Sequence, residues 1–152
     1  FRAELLREHG VRVLSDEYEL WTRDGATLAV AGVDDPNGPA GQKTGPELRA
    51  EIDADYTVLL SHRDTVEEYS SWGYDLVLCG HGHGGIVRLP FVGAVFGTHL
   101  DLFPDYTAGL YQKGQTSMIV SRGLGGSRKL PLRIGNRPEI VTVILKAESG
   151  KV

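Results

Sequence analysis

The sequence predicts a mixed fold, α+β or α/β, in a single domain over residues 1–152. Three observations carry that prediction. The runs Y-T-V-L-L-S over residues 56–61 and L-V-L-C over 76–79 are apolar and short, the pattern of strands buried on both faces. Residues 64–72 between them read as a helix that stops at Gly73, so strand, helix, strand forms a βαβ unit with the two runs parallel. Beyond Gly85 the pattern changes to short strands punctuated by turns.

Taken in order, residues 1–9 set Leu5 and Leu6 against Arg2, Glu4, Arg7 and Glu8, a helix stopped by Gly10. Residues 11–14, 18–22 and 26–30 read as strands. The last two are joined at Arg23-Asp-Gly25, where Asp-Gly supplies the positive φ of a hairpin turn. Residues 34–45 are dense in Gly and Pro and read as a loop, with Asp34 and Asp35 in a solvated turn rather than on a metal. Residues 47–54 are a short helix candidate. In the next helix Asp64 stands as N-cap with Glu67 three residues later, a capping-box arrangement.

Residues 86–88, 109–112, 116–121 and 139–146 read as strands, with a tight turn at Lys113-Gly114-Gln115. Residues 89–103 are apolar, glycine-rich and without alternation, so they read as a loop. That loop either packs on the protein or, beside the histidines, admits a lipid-linked substrate or touches a membrane surface.

Composition narrows the function. A hydrophobic content of 41% and a charged content of 24% are those of a soluble globular protein. A formal charge of −4 gives no basic footprint for nucleic acid. The single cysteine, Cys79, excludes an intrachain disulfide and reads as a packed thiol at the end of a buried strand. No run approaches the roughly 20 apolar residues of a membrane-spanning helix, and no signal peptide is present. Localisation stays open, cytoplasmic or membrane-associated.

The chemistry is concentrated in D-L-V-L-C-G-H-G-H-G-G over residues 75–85. His81 and His83 follow a buried strand among four glycines, and the strand before them ends in the same way at His62. Neutral imidazole suits zinc, iron, manganese, nickel or copper. Two parallel strands that deliver histidine at their carboxyl ends fit a ligand crevice at that edge of an α/β sheet. A phosphate-cradling glycine loop is the alternative, weakened because no Lys-Ser/Thr follows. His99 is a candidate site residue within the apolar loop, and His9 belongs to the last turn of the first helix. Arg122, Arg128, Arg133 and Arg137 are candidates for pairing a phosphate, although Arg137 is expected to pair with Glu139.

L-L-S-H over 59–62, followed by V-L-C-G-H-G-H-G-G over 77–85, resembles the last two metal-binding motifs of the calcineurin-like metallophosphoesterases. The segments R-L-P-F-V-G-A (88–94), F-P-D-Y-T-A-G-L-Y (103–111), S-R-G-L-G (121–125) and R-I-G-N-R-P-E-I (133–140) are similar to one bacterial branch of that family. The resemblance implies the C-terminal part of a four-layer α-β-β-α sandwich, with the later strands in its second sheet. It further implies a two-metal centre in which His62 and His81 hold one ion and His83 the other. Manganese, iron, zinc and nickel are the expected divalent ions. Arg63-Asp64 stands where the branch often has Asn-Pro.

The family's earlier motifs, D-x-H, G-D-x-x-D and G-N-H-D/E, are absent from these residues. The chain is therefore read as the C-terminal half of a metallophosphoesterase, with no catalytic residue of its own beyond the metal ligands. The implied function is hydrolysis of a phosphomonoester or phosphodiester by attack of a metal-bridging hydroxide. Little or no activity is expected of the chain alone. Its expected partners are the phosphoester substrate and either a second copy or the N-terminal half. The alternatives are a non-catalytic scaffold domain and a metal-binding module that keeps the family's shell.

Overall fold

The computed structural model describes residues 3–38, 40–126 and 132–146. The chain runs α1 (Ala3–Glu8), β1 (Glu17–Arg23), β2 (Ala26–Gly32), α2 (Gly45–Ala50), β3 (Tyr56–Leu60), α3 (Val66–Trp72) and β4 (Leu76–Cys79). It continues through β5 (Val87–Leu89), β6 (Gly93–Phe96), β7 (Gly109–Lys113) and β8 (Thr116–Val120). Six strands form one sheet in the order β1-β2-β3-β4-β8-β7, and β5 and β6 form a separate hairpin. Strands β2, β3, β4 and β8 are parallel, while β1 and β7 close the edges antiparallel. This is the mixed α/β fold that the sequence predicts, and its centre is the βαβ unit.

The sheet's register explains its core. Ala31, Leu59, Val77 and Met118 lie in one row across β2, β3, β4 and β8, with Cys79 and Val120 completing the face. Leu48 of α2 and Val66 and Tyr69 of α3 close over them, forming a single buried cluster. The opposite face is also apolar, with Val30, Val58, Leu76, Leu78 and Ile119 in register, but it opens toward Leu60, 39% exposed. Such two-sided apolarity is why β3 and β4 read as continuous hydrophobic runs.

Local chemistry sets the turns. Asp24 and Gly25 take φ of 51° and 81° in the β1–β2 hairpin, as Asp-Gly predicts. Helix α2 opens on a capping box in which the Glu47 amide donates to Thr44 Oγ1 and Glu47 accepts from the Thr44 amide. It occupies 45–50 rather than 47–54, because Pro46 sits in its first turn, where its missing N–H is not needed. Helix α3 starts from Thr65, one residue after the expected cap, and Asp64 makes no capping bond. Gly73 ends α3 in the left-handed region at φ 79°.

The remaining differences have physical causes. Residues 11–14 form no strand. Leu14 lies against Gly32, where a Cβ would stand 2.7 Å from the Leu14 side chain, so the segment crosses the end of β2 instead of pairing with it. Within the expected loop 89–103, residues 93–96 pair with β5, and Phe91 and Gly93 absorb positive φ at the turn. The rest of that loop does not pack inward: Phe91, Leu100, Leu102 and Phe103 are all exposed.

Strands β7 and β8 join the main sheet instead of a second one, because Thr116, Met118 and Val120 alternate into the core beside Val77 and Cys79. Residues 139–146 form no strand. Among the described residues they meet no sheet neighbour, and Ile140 and Ile144 are exposed. Among the described residues no helix is long and apolar enough to cross a membrane.

Candidate metal centre

The β3–β4 pair continues one residue past its ladder, where the Ser61 amide donates to the Leu78 carbonyl at 3.1 Å. Both chains then leave the sheet at the same edge, carrying His62 and His81 with them. His62 Nε2 and His81 Nδ1 lie 2.7 Å apart, with ring centroids 4.3 Å apart and the planes at 69°. His99 joins from the loop after β6, its ring centroid 5.1 Å from that of His81. The three imidazoles gathered here are thus His62, His81 and His99. His83 has another partner, the Gly125 carbonyl, at 3.2 Å from Nδ1.

The histidine loop is tightly wound. His81 and His83 take φ of 68° and 49°, sparsely occupied by residues with a Cβ. Two turn bonds close it, Gly82 N to Gly80 O at 2.9 Å and Gly85 N to Gly82 O at 2.8 Å. Glycine is required at 84, where φ is 75° and a Cβ would stand 2.5 Å from the Arg122 side chain. Gly80, Gly82 and Gly85 stand at G-x-G-x-x-G spacing, but the loop runs into β5 and not into a helix, so it lacks the N-terminus that such loops aim at a phosphate.

Three successive carbonyls of this loop are held by side chains. Asn136, 3% exposed, donates from Nδ2 to the carbonyls of His83 at 2.8 Å and Gly85 at 2.6 Å. Arg88 donates from Nη1 to the Gly84 carbonyl at 2.9 Å and to Thr107 Oγ1 at 3.1 Å. Asn136 arrives there because residue 134 bridges to β5 and Gly135 passes close to the Arg88 carbonyl. The sequence offers no sign of the Asn136 role, since its two contacts join positions 53 and 51 residues apart.

A second brace lies beside His62. Asp35 accepts from Arg63 Nε at 3.3 Å and Nη2 at 3.2 Å, and from the Asn37 amide at 2.8 Å. The Arg63 guanidinium holds the Asp35 carboxyl below its ordinary range. Asp35 is therefore a half-buried ion-pair partner rather than a solvated turn residue. Burial pushes the Asp64 carboxyl up against the opposing pull of His99 and His62, and it pushes His81 down, aided by His62 and His99. The Cys79 thiol, buried and near the Ile119 carbonyl, is pushed up to about 12, which fits the packed role expected of it.

The arginines are mostly engaged. Glu139 pairs with Arg122, not with Arg137, because Arg122 Nε reaches it at 2.7 Å while Arg137 is exposed. Arg133 donates to the Arg122 and Gly125 carbonyls, bracing the strand of chain that meets His83. Arg128 lies outside the described residues. His9 closes α1 through Nδ1 and the Leu5 carbonyl at 2.8 Å, as expected of a last-turn residue.

The His62–His81 pair fits a metal in part. Two imidazole nitrogens on one tetrahedral ion stand about 3.4 Å apart, given bonds of about 2.0–2.1 Å. Small ring rotations separate 2.7 Å to that distance. Among the described residues no group of three or more His, Cys, Asp or Glu side chains is placed to hold an ion.

A Bacillus subtilis protein named uncharacterized metallophosphoesterase YkuE is 35% identical over 147 residues, covering 94% of this chain and 49% of that protein. Phosphodiesterase YaeI of Escherichia coli is 32% identical over 142 residues, 93% of this chain and 50% of that one. An uncharacterized metallophosphoesterase of Aquifex aeolicus is 32% identical over 153 residues, 97% of this chain and 55% of that one. The chain belongs to the metallophosphoesterase family. No family model and no solved structure matches it. The chain spans about half the length of the curated relatives it matches.

Proposed function

We propose that the protein of which this chain is part is a metal-dependent phosphoesterase, acting on a phosphomonoester or phosphodiester, with His62, His81 and His83 among its metal ligands. The observation that carries this reading is the convergence of His62 Nε2 and His81 Nδ1 to 2.7 Å at the ends of adjacent parallel strands. The name of the Escherichia coli relative, a phosphodiesterase, supports the diester arm. Two divalent ions in such a centre would polarise the phosphoryl oxygens and activate water. The chain's own residues would do the holding: His62 and His81 each bring a ring nitrogen to one point, and Asn136 and Arg88 fix the loop that carries His83. Neutral imidazoles leave an ion's charge uncancelled, so it stays a strong Lewis acid. The same lack of carboxylates leaves the isolated chain with weak metal affinity and little or no hydrolysis.

Metal content by mass spectrometry tests the assignment. After loading with manganese, wild type is expected to retain more metal than His81→Ala or His83→Ala; equal content in all three removes these ligands. Robust turnover of bis-p-nitrophenyl phosphate by the pure 152-residue chain contradicts the expected incompleteness of its site.

A further inference from the structure

Residues 89–103 turn twice, once at the tip of the β5–β6 hairpin and once between Gly97 and Phe103. Both turns hold apolar side chains in solvent. Phe91, at the first, is 110% exposed, and Val92 beside it is more than half exposed, as are Leu100, Leu102 and Phe103 at the second. The second turn is closed by its own bonds. The Gly97 amide donates to the Asp101 carbonyl at 2.9 Å, the Leu100 amide to the Gly97 carbonyl at 3.2 Å and the Phe103 amide to the Val95 carbonyl at 3.0 Å. Phe91, Leu100 and Phe103 take φ of 67°, 65° and 52°, a region that residues with a Cβ enter only under strain. The fold thus holds three large apolar residues outward in an unfavourable backbone conformation, and burial returns nothing for it.

Charge indicates what such a surface suits. Residues 89–103 contain no Lys or Arg and one acid, Asp101, whose carboxylate folds back over Gly97 into the space a Cβ would take. On the edge strand β1, by contrast, exposed Leu20 and Trp21 stand between Glu19 and Arg23, the apolar centre and polar rim of a protein interface. A protein partner also needs hydrogen bonds, about one per 100–200 Å². Three amides of the second turn are already bonded within the loop. Hydrocarbon asks for none. A convex, charge-free tip that carries an aromatic ring matches the boundary between headgroups and acyl chains.

We propose that the two turns of residues 89–103 insert into a lipid surface. His99 lies in the second turn with its ring 5.1 Å from that of His81, so docking sets the histidine edge of the sheet at headgroup level. The surface that fits is a zwitterionic bilayer, because a formal charge of −4 offers anionic lipid no attraction. Affinity comes from apolar burial, so salt does not screen it. The inference is independent of the phosphoesterase reading, since a docked loop needs neither metal nor turnover.

Sedimentation of the full-length protein with phosphatidylcholine vesicles tests it. Wild type is expected to bind equally in about 0.1 M and about 1 M salt. Phe91→Asn and Leu100→Asn are each expected to weaken binding about tenfold, the loss of one buried apolar side chain. Their urea midpoints are expected to hold or rise, because asparagine tolerates the left-handed region better. Leu110→Thr, at an equally exposed position on β7, keeps full binding. Phe91→Trp is expected to be quenched by brominated phosphatidylcholine beyond whatever quenching wild type shows.

No binding by wild type, binding that salt abolishes, or asparagine variants that bind as wild type does would overturn the inference. A lowered urea midpoint in those variants, or Phe91→Trp emission already blue-shifted without lipid, overturns it too. Either result would place the tips against protein, in this molecule or a second copy, and would leave the phosphoesterase reading untouched.

Discussion

Asn136 shows how much a single side chain can decide. One amide nitrogen satisfies the carbonyls of His83 and Gly85 in a loop that has left-handed backbone at both histidines. Removing it leaves two carbonyls with no donor, at a cost of about 1–3 kcal/mol for a buried unsatisfied group. Asn136→Ala is expected to lower the urea midpoint and to reduce metal retention, although no ligand atom is touched. Asn136→Asp is expected to be worse at pH 7, since a carboxylate there faces two carbonyls with nothing to donate. Retention equal to wild type in both would show that the loop holds its shape unaided. The meeting of His62 and His81 was legible in the sequence, because imidazoles at the ends of neighbouring strands are a local pattern; that His99 and not His83 stands beside them was not. Asn136 and the Asp35–Arg63 pair were not, because each acts across a sequence gap that only the fold closes; Arg88 reaches a carbonyl only four residues back, a contact its side chain does not announce.

Among the elements, the βαβ unit was legible because its signals are local: two apolar runs, a helix between them and a glycine stop. The errors fall where two choices are locally equivalent. Asp64 and Thr65 are both capping residue types, and Thr65 takes the position although its side chain makes no capping bond. β6 has a glycine and four residues, too little for alternation to show. The placement of β7 and β8 depends on long-range pairing with β4, which no window of sequence contains. Helix α2 provides a test at this scale. It has six residues, too few to be stable on propensity alone, so its capping box should matter. Thr44→Ala is expected to cost about 1 kcal/mol in chemical denaturation. Leu59→Ala, in the buried row beneath the helices, is expected to cost about 2–5 kcal/mol. A reversed order of these two effects would mean that the helices, and not the sheet, carry the core.

For the molecule as a whole, the two faces of the sheet are unequal. One is sealed by α2 and α3, and the other carries an apolar row that opens toward Leu60 and, on the edge strand β1, toward Trp21 at 58% exposure. Apolar surface of that kind favours association. The isolated chain is expected to dimerise or to bind a complementary half of the protein, and light scattering across a concentration series reads this directly. A well-behaved monomer at high concentration argues against it.

The contact between His62 and His81 has a mechanical consequence as well. It joins positions 19 residues apart and closes a ring of chain that contains the whole of α3. A tie across that ring reduces the freedom of the opened state, so it slows the helix's departure from the sheet without adding anything to the helix itself. Amide exchange within α3 would then report on the grip between the two rings, and a cation shared by them would work as a latch on the crossover.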